Sequence, residues 1–103
     1  KLKKHVSYNY QKKMNYIKAN WNETRGDEND SWGTSIWFLE LDDENFPSRQ
    51  IEVYQNGKRL KYDTVNSQDK FGMLGDQSMD IDKINGMNGI EITRAKFESE
   101  WDT

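Results

Sequence analysis

A chain of 103 residues, 33% of them apolar, suffices for one domain and is too short for two independent cores. It has no cysteine, which excludes a disulfide framework and thiol chemistry, and no apolar run nears the roughly 18 residues of a membrane span. The net charge of −3 hides an asymmetry, with six lysines and no acid in residues 1–18 against nine basic and eighteen acidic residues in the rest, so the body favours basic partners over nucleic-acid phosphates.

Taken in order, residues 1–13 read as a basic N-terminal extension in which His5, Val6, Tyr8 and Tyr10 alternate weakly enough to suggest an edge strand. No apolar core follows this start as a secretory signal requires, and the expectation is a cytoplasmic protein. Residues 14–103 read as a single α+β domain opening at Met14. Ile17, Ala19 and Trp21 alternate with Lys18 and Asn20, which predicts a first strand over 16–21. The segment 22–33 (NETRGDENDSWG) is rich in turn formers and charge and reads as an exposed loop, with Trp32 either clamped back on the sheet or presented to a partner. Residues 35–41 place Trp37, Leu39 and Leu41 on one side and Ile36 and Phe38 on the other, as a central strand covered from both faces does.

The acidic turn Asp42-Asp43-Glu44-Asn45-Phe46 leads to Pro47, which sits where a strand can begin without its N–H. Asn56-Gly57 between alternating residues then predicts a hairpin with a two-residue type I′ turn. That turn would pair Gln55 with Lys58, Tyr54 with Arg59, Val53 with Leu60, Glu52 with Lys61 and Ile51 with Tyr62. One side would be dry, with Ile51, Val53, Leu60 and Tyr62, and the other wet, with opposite charges and a tyrosine facing an arginine. Residues 67–75 read as a loop plugged by Phe71, Met73 and Leu74. A short helix is predicted over about 79–85, capped by Ser78 or Asp80 and closed by Gly86, with Ile81 and Ile84 inward. After a short extended piece at 90–93, Thr93 caps a last helix over 94–101. Its Phe97 and Trp101 share a face, and Lys96, Glu98 and Glu100 point to water. The expected architecture is an antiparallel β-meander of four to five strands, with the first strand at an edge, a short helix, and the C-terminal helix packed on the sheet.

Catalytic inventory is thin. His5 is the one histidine, so a paired-histidine acid/base mechanism is excluded, and neither a nucleophile elbow nor a phosphate-cradling glycine loop occurs. Asp80-Ile81-Asp82-Lys83-Ile84-Asn85-Gly86 begins like a calcium loop but puts isoleucine at the fifth, ligating position, and its closing position falls on Glu91 when counted from Asp80 but on Ile92 when Gly86 is set at the sixth place. We therefore expect no enzyme, no metal and no cofactor. Tyr8, Tyr10 and Tyr16 beside Lys12, Lys13 and Lys18, together with Trp21, leave a weak single-strand RNA-binding alternative.

Several features resemble a small bacterial family known as a domain of unknown function. They are Tyr16-Ile17-Lys18 leading to Trp21, Leu39-Glu40-Leu41-Asp42, Arg49 with Ile51-Glu52-Val53 and Asn56-Gly57, Leu74-Gly75-Asp76, Ile84-Asn85, and Phe97-Glu98 before Trp101. The family is similar to antidotes found beside polymorphic and contact-dependent toxins, which implies a cytosolic immunity protein neutralising a cognate toxin domain, such as a nuclease. The resemblance supplies no catalytic motif. On this expectation the partner is a basic protein, the chain is a monomer or forms a 1:1 heterodimer with it, and there is no membrane or direct nucleic-acid contact. The candidate docking residues are Asp27, Glu28, Asp30 and Trp32, then Asp42, Asp43, Glu44 and Phe46, then Asp76, Asp80 and Asp82, since carboxylates on loops can fill sites meant for phosphates. A binding module for another ligand is the alternative.

Overall fold

The computed structural model describes residues 14–103; the basic extension, including the weak strand read at His5 to Tyr10, lies outside them. Five strands, β1 (Asn15–Trp21), β2 (Ser35–Leu41), β3 (Pro47–Tyr54), β4 (Arg59–Asp63) and β5 (Ile90–Glu91), form one antiparallel sheet in the order β4-β3-β2-β1-β5. Two helices, α1 (Ile81–Gly86) and α2 (Arg94–Trp101), complete the α+β fold that the patterning predicts. β2 is the central strand, as its two apolar faces require. β1, expected at an edge, is covered by β5, because the 90–93 segment pairs Ile17 with Glu91 and Lys18 with Ile90.

The two faces of the sheet carry different covers. On the first, Tyr16, Phe38 and Ile51 pack with Phe97 of α2, and Met14, Val53, Ile92 and Trp101 close around them. Thr93 caps α2 by accepting the Lys96 N–H (3.1 Å), which seats Phe97 fully buried. Burial of that ring contributes about 2–3 kcal/mol. Glu98 and Glu100, expected in water, instead reach sheet arginines: Arg49 bridges Glu98 and the buried Glu40, and Arg59 pairs with Glu100 at 2.9 Å. A helix of only two turns lies flat enough on the sheet for its flanking positions to touch the strands below.

On the second face, Ile17, Leu39 and Leu41 pack with Trp37, Met79 and Ile84, and Tyr54, Leu60 and Tyr62 pack with Trp32, Phe71 and Leu74. The 67–79 segment runs across this face as the predicted plug, although Met73 stays half exposed. Asp80 caps α1 through the Lys83 N–H (2.8 Å); Ile84 turns inward as predicted, but Ile81 faces solvent at 66% exposure.

The hairpin departs from its prediction by one residue. Val53 faces Arg59, Glu52 faces Leu60, Ile51 faces Lys61 and Gln50 faces Tyr62. A type I′ turn needs positive φ at both central residues, and Asn45 and Asn88 are the non-glycine residues with positive φ among those described, so Asn56 does not qualify. The connection is a three-residue loop, Gln55-Asn56-Gly57, closed by Tyr54 N–H to the Lys58 carbonyl (2.9 Å), with Gly57 alone at φ 93°. Tertiary contacts favour this form, since the Gln55 and Asn56 N–H groups donate to the carbonyls of Thr34 (3.0 Å) and Trp32 (3.2 Å). The slip exchanges partners across the ribbon. Glu52 and Tyr54, expected on a wet side opposite Lys61 and Arg59, lie on the second face with Leu60 and Tyr62 and are buried.

Candidate functional site

The structure divides the three acidic loops between opposite ends of the sheet. At one end the 42–46 turn meets the start of α1. The Asp42 carboxylate accepts the N–H groups of Glu44 and Phe46 (2.9 Å each), so it shapes the turn. The Met79 N–H donates to the Asn45 carbonyl (2.8 Å) and the Ser78 hydroxyl to that of Glu44 (2.9 Å). These bonds staple two loops into one surface that exposes Asp43, Glu44 and Asp82 around Phe46 (39% exposed) and Ile81. Asp80 serves this surface as the helix cap.

At the opposite end the loop 22–34 folds on itself. Asp27 pairs with Arg25 (3.2 Å) and accepts the Asn29 N–H (2.8 Å), and Asp30, first residue of a single 3₁₀ turn (Asp30–Trp32), accepts the Gly26 N–H (2.7 Å). Hydrogen bonds from Thr24 and from Gly26 hold the Asp30 carboxyl below its usual range. Trp32 is the clamp of the two readings, edge-on to Tyr54 (5.2 Å between centroids) and tilted on Phe71 (5.3 Å). Glu28 is exposed and distant from the 42–46 surface along the strands. Asp76 belongs to neither end but lines a groove on the second face.

That groove joins Trp37, Glu52 and Tyr54, which the sequence pattern presents as scaffold, to Trp21 of the RNA-binding alternative and to Asp27 and Asp76 of the docking candidates. Trp21 and Trp37, adjacent through the β1–β2 pairing, stand with ring centroids 6.0 Å apart and separate two hollows. One, of about 280 Å³, is apolar, with Leu39, Pro47, Met79 and Met87 in its walls. The other, of about 330 Å³, holds Arg25, Asp27, Glu52 and Tyr54. Glu52, 4% exposed, accepts the Tyr54 hydroxyl on Oε1 and the Gln50 amide on Oε2 (2.8 Å). Burial raises its pKa above the usual carboxylate range, and the bonds from Tyr54 and Gln50 offset that in part. Burial and the adjacent Glu52 push the Tyr54 hydroxyl up to about 12. Arg25 lies over the Trp32 and Tyr54 rings (5.0 and 5.6 Å) and donates to the Tyr54 oxygen (3.0 Å), so its charge reaches Glu52 through the tyrosine. The alternation Gln50, Glu52, Tyr54 was the available sequence signal, and a three-residue hairpin loop would have put it on the Leu60 side.

No cluster of three or more histidine, cysteine or acidic residues that could hold a metal is found among the described residues, and none of their helices is long and apolar enough to cross a membrane. Fold and surface thus define a small α+β domain bearing one stapled acidic patch and one tryptophan-walled groove. The family model described as "Domain of unknown function (DUF6881)" matches residues 15–103, and the chain belongs to that family. No curated protein and no solved structure matches it.

Proposed function

We propose that this chain is an immunity protein that neutralises a basic toxin domain by binding and occluding it, rather than by catalysis. The observation that carries the reading is the stapled surface of Asp43, Glu44, Phe46, Ile81 and Asp82, in which exposed apolar side chains sit among carboxylates on a backbone held by the Asn45 and Glu44 carbonyl bonds. Apolar anchors supply affinity and the surrounding charge speeds encounter with a cationic cleft. A nuclease of a contact-dependent system, whose cleft is built for phosphates, has the complementary sign. The resemblance to toxin antidotes supports that class of partner, and such an antidote works in the cytoplasm as one copy per toxin.

Titrating the chain against the product of the adjacent gene tests the reading. Expected are nanomolar binding that weakens with salt and a loss of about tenfold or more in association rate for the triple variant Asp43→Lys, Glu44→Lys, Asp82→Lys. Absence of binding, or binding indifferent to both salt and charge reversal, refutes it.

A further inference from the structure

The groove around Trp21 and Trp37 is a second surface, which meets the acidic patch at Pro47 and Met79 and runs from there across the second sheet face, and its chemistry is specific. A carboxylate 4% exposed sits in its wall, and each oxygen of Glu52 accepts one hydrogen bond, from Tyr54 or Gln50, where a carboxylate oxygen can accept two. The nearest cation, Arg25, is already committed to Asp27, to the Tyr54 hydroxyl and to the Phe71 carbonyl. Across the two hollows Arg25 therefore stands against Asp27, Glu52 and Asp76, an excess of negative charge inside apolar walls. Trp37 is the cross-strand neighbour of Glu52, both indoles line the same hollow as that residue, and Trp21 remains 41% exposed and approachable. An anion such as a nucleotide phosphate is repelled by this charge. A planar cation satisfies every feature, because its face stacks on indole, its N–H groups match a carboxylate, and an aliphatic stem suits the neighbouring hollow of Leu39, Pro47 and Met79.

We propose that this groove is a receptor for an arginine side chain of a partner protein, with the guanidinium against Trp21 and Trp37 and its N–H groups on Glu52. Arg25, Tyr54 and Gln50 position the carboxylate. The receptor accepts its arginine whether or not the partner is a toxin, so it stands apart from the function proposed above. Burial raises the Glu52 pKa, and a cation brought against the carboxylate would offset that cost.

The test titrates capped arginine (N-acetyl-arginine N-methylamide) into the full chain and follows the indole N–H resonances of Trp21 and Trp37. Saturable shifts in the millimolar range are expected, with capped citrulline, capped lysine and guanosine monophosphate each about tenfold weaker or more. An equal response to citrulline would mean apolar stacking alone, an equal response to lysine a simple point charge, and stronger binding of guanosine monophosphate a nucleotide groove. Each of these outcomes overturns the proposal, as does the absence of any shift. Glu52→Gln should lose about tenfold in arginine affinity while keeping the weak citrulline response. Should that variant fail to fold, Trp21→Ala, at an exposed position, decides through the Trp37 resonance: unchanged arginine affinity refutes the receptor.

Discussion

Arg49 is the residue whose removal tests the account of the first sheet face most sharply. Its guanidinium donates to both Glu40 oxygens (2.9 and 2.8 Å) and to both Glu98 oxygens (3.0 and 2.6 Å), and it lies over the Phe97 and Trp101 rings (4.8 and 5.1 Å). A bulge between Glu40 and Leu41 sets both Ser48 and Arg49 against Glu40, and the Ser48 hydroxyl adds a bond at 2.8 Å. Arg49→Met keeps much of the apolar stem over the rings and leaves Glu40 buried without its cation. Breaking a buried pair costs about 3–5 kcal/mol; with the Arg49 side chain 20% exposed and Ser48 still in place, about 2–3 kcal/mol is expected. That corresponds to about 10 °C in melting temperature or more for a domain of this size. Glu98→Gln, which spares Glu40, should cost under about 1 kcal/mol because Glu98 is 34% exposed.

The pH dependence separates charge from packing in that experiment. Burial alone would raise the Glu40 pKa, but the bonds from Arg49 and Ser48 outweigh it and hold it below the ordinary value of 4.5. A depressed carboxyl pKa contributes stability that is full above the unfolded value and is lost as pH falls through the folded one. The deficit of Arg49→Met, read by urea unfolding, should therefore be largest near about pH 7 and shrink towards about pH 4, where a protonated Glu40 no longer needs the cation. An equal deficit at both pH values would assign the loss to ring packing and refute the charge argument.

Glu52 predicts the opposite slope. Its pKa is raised by burial, so its contribution favours folding below the unfolded value and is lost as pH rises through the folded one. Relative to Glu52→Gln, the parent chain should lose stability with rising pH across that window, and a flat difference in urea unfolding would contradict it. Gly33→Ala should cost about 3 kcal/mol, because Gly33 combines φ 90° with a position where a Cβ would strike the Gln55 amide oxygen and lie 2.8 Å from the Gln55 Cβ. Gly57→Ala has the same sign of φ but open space around it and should cost about 1 kcal/mol; thermal melts showing the two equal would refute the clash at Gly33.

The sequence by itself determined the elements that depend on local chemistry. Alternation along 16–21 and 35–41, the proline at the head of β3, and Asp80 and Thr93 as helix caps all read directly, because periodicity and capping act over a few residues. Phe97 and Trp101 announced the buried face of α2 in the same way. Tertiary structure alone decided the hairpin register, since Asn56-Gly57 is compatible with a two- or a three-residue loop and the docking of Thr34 and Trp32 on the turn selects the longer one. That single residue moved Glu52 and Tyr54 from a solvated ribbon to a buried wall beside Trp21 and Trp37. It also took distant contacts to sort the acidic loops: Asp27 and Asp30 bond within their own loop, whereas Asp43 and Glu44 join Asp82 on one surface only because the chain returns at Ser78 and Met79. Local pattern carries no record of such returns, and in a sheet covered on both faces a polar residue at an alternating position can be solvated or buried depending on which segment crosses above it.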